Sequence, residues 1–239
     1  MRRKDRDAAE LRPVKITTGV NPFAEGSCLL EAGQTRVLCI ATVEPGVPKW
    51  KQEAGGGWIT AEYSMLPRAN RSRTPRERGS GPSGRTMEIQ RLIGRSLRAC
   101  VDLSALEGYT ITLDCDVMQA DGGTRCASIT GAWVALYQAL EGMVLQGQLR
   151  AMPDILPVAA VSTGLLEGSL LLDLCYEEDR DADVDLNLVM LKDKTLVEVQ
   201  GTLESGRFDR QMLNRMMDLG EEGIRQLIEM QEKAAGLTD

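Results

Sequence analysis

The most informative absence in this 239-residue sequence is that of histidine. Without histidine the chain can form no Ser-His-Asp triad, no Cys-His pair and no histidine-ligated metal site. Its chemistry must therefore use carboxylates, arginines, hydroxyls, amides or a bound ion. C-x-x-C pairs are absent as well, although the chain has six cysteines, most of them in apolar segments. We expect reduced thiols in the core rather than a zinc site or a disulfide framework.

Long hydrophobic runs are also missing. No apolar stretch approaches the ~20 residues that a membrane-spanning helix requires. The first residues, MRRKDRD, lack the apolar centre of a secretory signal. These two absences predict a cytoplasmic protein that does not enter a membrane. The hydrophobic content of 43% is ordinary for a globular fold.

Charge is distributed unevenly along the chain, whose formal net charge is −7. Residues 68–98 hold nine arginines and two acids, a sum of +7, which leaves −14 for the remainder. Residues 173–185 hold seven acids and one arginine. An acidic protein can still bind a polyanion through such a basic segment, because the local electrostatic potential rather than the net charge determines where a polyanion binds.

Hydrophobic periodicity predicts a chain that contains both strands and helices. Strands are indicated at 14–20, 27–44 (as a hairpin), 58–63, 111–118, 157–163, 169–174, 184–191 and 195–199. Helices are indicated at 87–103, 124–140 and 212–227. The segment EGSCLLE at 25–31 is echoed by EGSLLLD at 167–173. We therefore predict an α/β (α+β) fold of two fused ββα-type halves with mixed sheets flanked by helices, at roughly 10–145 and 150–239.

A glycine-rich segment at 79–84 matches the dinucleotide-binding pattern G-x-G-x-x-G. It also resembles a P-loop in which Arg85 replaces the lysine. Either motif should follow a buried strand, and here an arginine-rich loop precedes it, which disfavours a nucleotide-binding enzyme. Glycine-rich backbone that enters a helix beside an arginine is nevertheless a candidate anion site.

A second glycine-rich turn, at 121–125, lies between a predicted strand and a predicted helix. Gly122 and Gly123 allow the backbone to approach a ligand closely, and the free amides at a helix N-terminus favour an anion. Thr124 adds a hydroxyl and Arg125 a guanidinium, while Ser128 would lie about one turn further along. Arg85 could supply a second guanidinium to the same phosphate. The alternative is a tight turn with a threonine cap.

The acidic run at 178–185 contains Asp179 and Asp185. Carboxylates can hold a divalent cation or act as a general acid. If the run formed a strand, Asp181, Asp183 and Asp185 would share one face. The alternative is a solvated acidic loop, which is the usual meaning of such a run.

Residues 67–85 are rich in Arg, Pro, Ser and Gly and predict a long loop, a kind of segment that is often functional. Arginines without interleaved aromatic residues suit contacts with the RNA backbone rather than base stacking. The alternative is a solvated or subunit-facing loop. We predict that the loop binds RNA through its five arginines, Arg68, Arg71, Arg73, Arg76 and Arg78.

Together these features resemble the ribonuclease PH family, and the resemblance runs nearly from end to end. The matching segments are LRPV (11–14), AEGS (24–27), TAEYSMLPRA (60–69), SGRTMEIQRLIGR (83–95), DCDVMQADGGTRCASITG (114–131) and VEVQGT (197–202). Leu186 stands where the family usually has methionine, and Leu203 where a smaller residue is common. Neither departure involves the proposed chemistry.

The resemblance implies a two-half α/β fold with a pseudo-twofold relation and a homohexamer assembled as a trimer of dimers. It implies a phosphate-dependent 3′–5′ exoribonuclease that trims tRNA precursors after the CCA end, releases nucleoside 5′-diphosphates and runs reversibly. Inorganic phosphate would be held by Arg85, Gly123, Thr124 and Arg125. Asp179 and Asp185 would serve catalysis with a magnesium ion (Mg²⁺), and the arginine loop would hold the tRNA body.

Two other functions remain open. A non-catalytic RNA-binding ring subunit of an exosome-like assembly would keep the fold and the basic loop but lose the phosphate site or the carboxylates, and this chain retains both. A hydrolytic metal-dependent nuclease would release monophosphates and would not need the cradle at 123–125. Which aspartate is the acid and which binds metal is left undecided by the residues alone.

Overall fold

The computed structural model describes residues 6–77, 81–106 and 108–238. Its first sheet has five strands in the order β1-β2-β3-β5-β4, and its second has four in the order β7-β6-β8-β9. Only the β4–β5 pair is parallel among the described pairs. The strands are β1 (Val14–Thr18), β2 (Gly26–Ala32), β3 (Thr35–Pro45), β4 (Trp58–Met65), β5 (Tyr109–Gln119), β6 (Val158–Leu166), β7 (Ser169–Leu172), β8 (Val184–Leu191) and β9 (Leu196–Leu203).

Helices flank both sheets, so the predicted mixed fold is confirmed. The α-helices are α1 (Lys49–Gln52), α2 (Gly84–Ala99), α3 (Thr124–Leu145), α4 (Tyr176–Asp181) and α5 (Arg210–Ala234). The predicted strand at 184–191 matches β8, and the predicted helix at 124 begins where α3 does. Helix α2 starts three residues before its predicted position, because Ser83 caps it by accepting a hydrogen bond from the Thr86 amide.

The two echoed sequence segments form β2 and β7, which occupy different places in their sheets. Strand β2 pairs on both sides, with β1 and β3. Strand β7 pairs with β6 alone and lies at an edge. Each segment therefore contributes one strand to its half, although the strand order of the two sheets differs.

Helix α3 forms the centre of the core because apolar residues occur on most of its sides and most of its length is buried. Ile129, Trp133 and Leu136 are fully buried. The helix contacts β2 and β3 of the first sheet and β6 of the second. The Trp133 indole donates a hydrogen bond to the carbonyl oxygen of Leu156 at 2.9 Å. A helix without a polar face must be covered on all sides, so α3 joins the two sheets and fixes the direction in which its N-terminus points.

All six cysteines are free and five are buried, which confirms the prediction of reduced core thiols. Three of them lie side by side under α3, since Cys39 is opposite Cys28 on β2 and opposite Cys115 on β5. Burial raises the pKa of the Cys28 thiol to about 12. Among the described residues, no helix has the length and the apolar character needed to cross a bilayer.

Candidate active site

The side chains that the sequence analysis assigned to a phosphate cradle and to catalysis lie around one open pocket of about 660 Å³. The wall of the pocket is formed by helices that flank the first sheet and by elements of the second half of the chain. The residues concerned are Arg85 from α2, Gly123 with Thr124 and Arg125 from the start of α3, Asp179 from α4 and Asp185 from β8. The fold thus brings together groups that are up to 100 positions apart in the sequence.

The turn before α3 has a shape that only glycine adopts easily. Gly122 and Gly123 have φ angles of +76° and +65°. A Cβ atom on Gly122 would lie 2.7 Å from the carbonyl oxygen of Leu174 and 2.7 Å from the carbonyl carbon of Cys175. The glycine therefore permits the turn to pack directly on the backbone that leads into α4, next to the carboxylates.

The N-terminus of α3 is open to an anion. Gly123 occupies the N-cap position, no side chain caps the helix, and its first turn contains no acid. The first amides of a helix have no partner within the helix, and the helix dipole places partial positive charge on them. This end of α3 forms part of the pocket wall, and free amides in such a position favour phosphate or a similar anion.

A buried ion pair holds this turn in place. The Arg12 guanidinium is 6% exposed and donates to the Asp173 carboxylate through Nε at 3.0 Å and Nη2 at 2.6 Å. Its Nη1 donates to the carbonyl oxygen of Asp121 at 2.6 Å. The Thr35 hydroxyl donates to the carbonyl oxygen of Gly122 at 2.7 Å. Strand β3 and the segments that precede β1 and follow β7 therefore fix the position of the turn.

Arg125 and Thr124 contact residues that the sequence analysis did not assign to the site. Arg125 Nη1 donates to Gln200 Oε1 at 2.6 Å, and Gln200 Nε2 donates to Glu88 Oε1 at 2.8 Å. The Tyr63 hydroxyl and Thr124 Oγ1 are hydrogen-bonded at 2.9 Å. Gln200 and Tyr63 lie within the segments that carry the family resemblance, but no local sequence pattern distinguishes them from their neighbours as site residues.

The pKa of the Tyr63 phenol depends on the charges around it. Burial raises its pKa, while the positive charges of Arg85 and Arg125 oppose that rise. Both guanidinium groups are therefore close to the start of α3, as a cradle for a phosphate requires.

Two carboxylates form the opposite wall of the pocket. Asp179 remains partly exposed, yet loss of water around it raises its pKa, and Arg125 and Arg85 counteract that shift. Partial burial also raises the pKa of Asp185, and the negative charge of Asp179 adds to the rise. The pKa of each carboxyl group is therefore raised above its ordinary value, and the positive charge of Arg125 opposes the rise at both.

The expectation that Asp181, Asp183 and Asp185 share one strand face is wrong. Residues 176–181 form α4, because Glu178 closes a capping box on the amide of Cys175. Asp181 instead pairs with Arg180 at 2.7 Å, and Asp183 accepts a hydrogen bond from Ser205. Of the three, only Asp185 lies in a strand and lines the pocket.

Ser128 also lies outside the site. Its side chain is fully buried, and Oγ donates to the carbonyl oxygen of Thr124 at 2.9 Å, one turn back along α3. The hydroxyl therefore satisfies its hydrogen bond within the helix, away from the pocket.

The arginine loop leaves β4 at the edge of the pocket. Its amide at Thr74 donates to the carbonyl oxygen of Pro67, and Ala69 accepts from the amide of Ala120, so the first part of the loop is anchored to β5. Arg71 pairs with Glu177 of α4 at 3.0 Å. Four of the predicted arginines, Arg68, Arg71, Arg73 and Arg76, are exposed. Arg78 and part of the glycine motif at 79–84 lie outside the described residues.

Within the described part of the chain there is no group of three or more His, Cys, Asp or Glu side chains arranged to hold a metal ion. Four carboxylates line the pocket among the described residues: Glu88, Asp179, Asp185 and Glu204.

Comparison with known proteins identifies relatives along the whole chain. Models of the 3′ exoribonuclease family match residues 10–140 (domain 1) and 157–223 (domain 2). A ribonuclease PH of Dehalococcoides mccartyi is 52% identical over 234 residues, which cover 97% of each chain.

Solved structures share the fold. A structure of an Archaeoglobus fulgidus exosome with RNA bound to the active site is 26% identical, with a TM-score of 0.76 over 94% of this chain and 90% of that one. A crystal structure of rice (Oryza sativa) Rrp46 is 18% identical, with a TM-score of 0.78 over 97% of this chain and 98% of that one.

Proposed function

The chain belongs to the ribonuclease PH group of the 3′ exoribonuclease family, and we propose that it removes nucleotides beyond the CCA end of tRNA precursors by phosphorolysis. Inorganic phosphate is the co-substrate and nucleoside 5′-diphosphates are the products. One observation carries the proposal: the uncapped start of α3, with Arg85 and Arg125 beside it, faces Asp179 and Asp185 across a single pocket.

This arrangement solves the main difficulty of the reaction, which joins two anions. Orthophosphate and the terminal phosphodiester of RNA repel each other in water. The guanidinium groups of Arg85 and Arg125 and the first amides of α3 would hold orthophosphate in a fixed position against the scissile phosphorus. Gln200 would keep Arg125 oriented, because its side chain already accepts the guanidinium hydrogen bond.

The chemical step is an in-line displacement. An oxygen of orthophosphate forms a bond to the phosphorus of the last nucleotide, and the bond from that phosphorus to the 3′ oxygen of the preceding nucleotide breaks. The leaving oxygen takes a proton. We assign this general-acid role to Asp185, which lines the pocket and whose pKa is raised by burial and by the neighbouring Asp179.

The residues of the pocket fit a magnesium ion. Mg²⁺ is commonly held by one or two carboxylates together with substrate phosphates and water, and Asp179 and Asp185 are close enough for one charge to raise the pKa of the other. Asp179 would be its carboxylate ligand, and Asp185 would remain free to act as the acid. A bound cation would offset negative charge on the reacting phosphates.

Assembly, location and the RNA contacts of the loop form the wider part of the proposal. We place the protein in the cytoplasm as a homohexamer built as a trimer of dimers. Arg68, Arg71, Arg73, Arg76 and Arg78 would hold the tRNA body. Two fused halves, roughly 10–145 and 150–239, would both be required, because the pocket uses side chains from each.

The test is to incubate a 3′-extended tRNA with the protein, with and without phosphate, and to resolve the released nucleotides. Nucleoside diphosphates that appear only with phosphate support phosphorolysis. Monophosphates released without phosphate would indicate a hydrolase, and an absence of any release would favour a non-catalytic RNA-binding subunit.

The cradle is tested by Arg125→Ala, which should abolish phosphate-dependent trimming and leave tRNA binding in place. Arg150→Ala is the matched control, because it removes an exposed arginine from the segment between α3 and β6. Trimming by Arg125→Ala at the wild-type rate would show that the phosphate site is assigned wrongly.

A further inference from the structure

Glu88 is an acidic side chain in the part of the pocket that is otherwise suited to an anion. It lies on α2, one turn after Arg85, and it lines the same pocket as Arg125. Arg85 and Arg91 stand one turn before and one turn after it on the helix, yet Glu88 forms no ion pair with any residue that the structure describes. The charge of a carboxylate in this position repels phosphate, so Glu88 must have a role that its charge does not supply.

The contact that Glu88 makes is with a neutral amide. Glu88 Oε1 accepts a hydrogen bond from Gln200 Nε2 at 2.8 Å, and Gln200 Oε1 accepts one from Arg125 Nη1 at 2.6 Å. These three side chains form a chain of hydrogen bonds, here called the Glu88–Gln200–Arg125 relay. The relay runs from α2 through β9 to the first turn of α3, so it joins the two halves of the protein at the phosphate cradle.

The chemistry of the two ends allows one orientation of the Gln200 amide. A guanidinium has only hydrogen-bond donors, and an ionised carboxylate has only acceptors. The amide therefore presents its oxygen to Arg125 and its nitrogen to Glu88. If the amide turned over, donor would face donor at Arg125 and acceptor would face acceptor at Glu88. Glu88 consequently stabilises the orientation in which Gln200 can hold Arg125.

Gln200 depends on such a contact because it lies on an edge strand. Within the described part of the chain, β9 pairs with β8 alone. A side chain on an open edge keeps rotational freedom that must be lost before it can hold a partner. The Arg95–Glu198 ion pair, at 2.8 Å, is a second contact between α2 and β9, and Glu198 and Gln200 point to the same side of the strand. Helix α2 thus reaches the face of β9 that carries Gln200.

Arg125 has the capacity to bind an anion while Gln200 holds it. Its guanidinium has one hydrogen-bond partner among the described residues, which is Gln200 Oε1. The remaining N–H groups are available to a phosphate. An arginine that is already fixed loses less conformational freedom when the anion arrives, and this preorganisation increases affinity.

We propose that Glu88 is a positioning residue of the phosphate site, which holds Gln200 so that Gln200 directs Arg125 at the bound phosphate. The inference rests on the proposed function, because that function places orthophosphate beside Arg125. It requires that Glu88 favours phosphate binding through its hydrogen bond although its charge opposes it. The two effects have opposite signs, and variants can therefore separate them.

The experiment compares Glu88→Ala with Glu88→Gln. Both variants remove the negative charge, but only the glutamine can still offer an oxygen to Gln200 Nε2. Two constants are measured: the KM for phosphate in the trimming of a 3′-extended tRNA, and the Kd for orthophosphate by calorimetry without RNA. Both should rise about tenfold in Glu88→Ala, the scale of one lost hydrogen bond. In Glu88→Gln both should lie within about twofold of the wild-type values, because the bond is kept.

Glu62→Ala is the matched control. The Glu62 carboxylate accepts a hydrogen bond from Gln90 Nε2 at 2.6 Å, so it also joins a strand to α2 through a glutamine, but neither residue lines the active pocket. This variant should leave both phosphate constants unchanged. Gln200→Ala should raise them at least as much as Glu88→Ala does. The double variant should be no worse than Gln200→Ala, because Glu88 acts through Gln200.

Three results would overturn the inference. The first is a fall in both phosphate constants in Glu88→Ala, which would mean that only the charge of Glu88 matters. The second is a double variant whose loss is the sum of the two single losses. The third is an unchanged Kd for orthophosphate together with a higher magnesium requirement in both Glu88 variants, which would make Glu88 a metal ligand. Failure of the proposed function would be seen instead as an absence of nucleoside diphosphates from the wild-type protein, whereas the Kd for orthophosphate is measured without catalysis.

Discussion

Replacing Gly122 with alanine tests how closely the phosphate turn must approach the backbone before α4. The added Cβ would lie 2.7 Å from Leu174 O and 2.8 Å from the Tyr176 amide nitrogen, and neither atom can rotate away. Its φ of +76° adds a conformational cost of about 1–2 kcal/mol for a residue with a Cβ. Relief of the overlap by a backbone shift should cost a further ~1–3 kcal/mol. We expect a total loss of about 2–5 kcal/mol in the free energy of unfolding.

The matched control is Gly147→Ala, which separates the two costs. Gly147 has a φ of +73°, but an added Cβ would meet nothing within 4 Å. This variant should lose only the conformational term of about 1–2 kcal/mol. Urea denaturation of both variants gives the difference, and kinetics with varied phosphate gives the functional effect. Because an ångström of misplacement can cost ~10²-fold in rate, kcat/KM for phosphate should fall about 100-fold in Gly122→Ala and remain unchanged in Gly147→Ala. Equal destabilisation of the two variants would refute the close-approach argument.

Further predictions concern the charged groups beneath and beside the turn. Burial, with the charge of Asp179, raises the pKa of Asp185 above the ordinary 3.8, so its ionised form opposes folding. Asp185→Asn should therefore abolish phosphorolysis yet raise the urea midpoint of unfolding at pH 7. The gain in midpoint should disappear below pH 3.8, where the carboxyl is protonated in both the folded and the unfolded state. An unchanged midpoint at pH 7 would contradict this prediction. Arg12→Met removes both guanidinium hydrogen bonds from the buried Asp173 carboxylate, which keeps the Arg12 backbone amide at 2.8 Å and the Arg6 guanidinium at 3.6 Å, and it should cost about 3 kcal/mol. Asp173→Asn completes a double-mutant cycle for the Arg12–Asp173 pair. A coupling energy near zero would show that the two side chains do not stabilise the fold as a pair.

The parts of the active site that could be predicted are those whose chemistry is local in the sequence. Two consecutive glycines before a helix, followed by Thr124 and Arg125, indicate an anion site without knowledge of the rest of the fold. The same is true of the arginine that follows Gly84. The structure places these groups at one pocket, together with Asp179 and Asp185.

The parts that could not be predicted depend on contacts between distant segments. In the sequence Gln200 looks like any other strand residue. Only the fold places β9 beside α2 and the start of α3, where Gln200 accepts a hydrogen bond from Arg125. Arg12 shows no sign of burial in the sequence, because the carboxylate that compensates it is 161 positions away. The helix α4 was missed because its six residues are too few for a helical period to appear. Its start is capped by the Glu178 carboxylate, which accepts a hydrogen bond from the Cys175 amide.

The central position of α3 has a consequence for how the protein is made. Ribosomes extend a chain from its N-terminus, so the helix is complete at residue 145 while β6 and α5, which cover its second side, follow as far as residue 234. At ~5–20 residues per second, those 89 positions take about 5–20 s to synthesise. Throughout that interval the nascent chain presents one apolar side of α3 to the surrounding water. Such a chain should recruit chaperones that bind exposed hydrophobic segments, and a premature stop within the linker before β6 should yield an aggregating fragment rather than a working half.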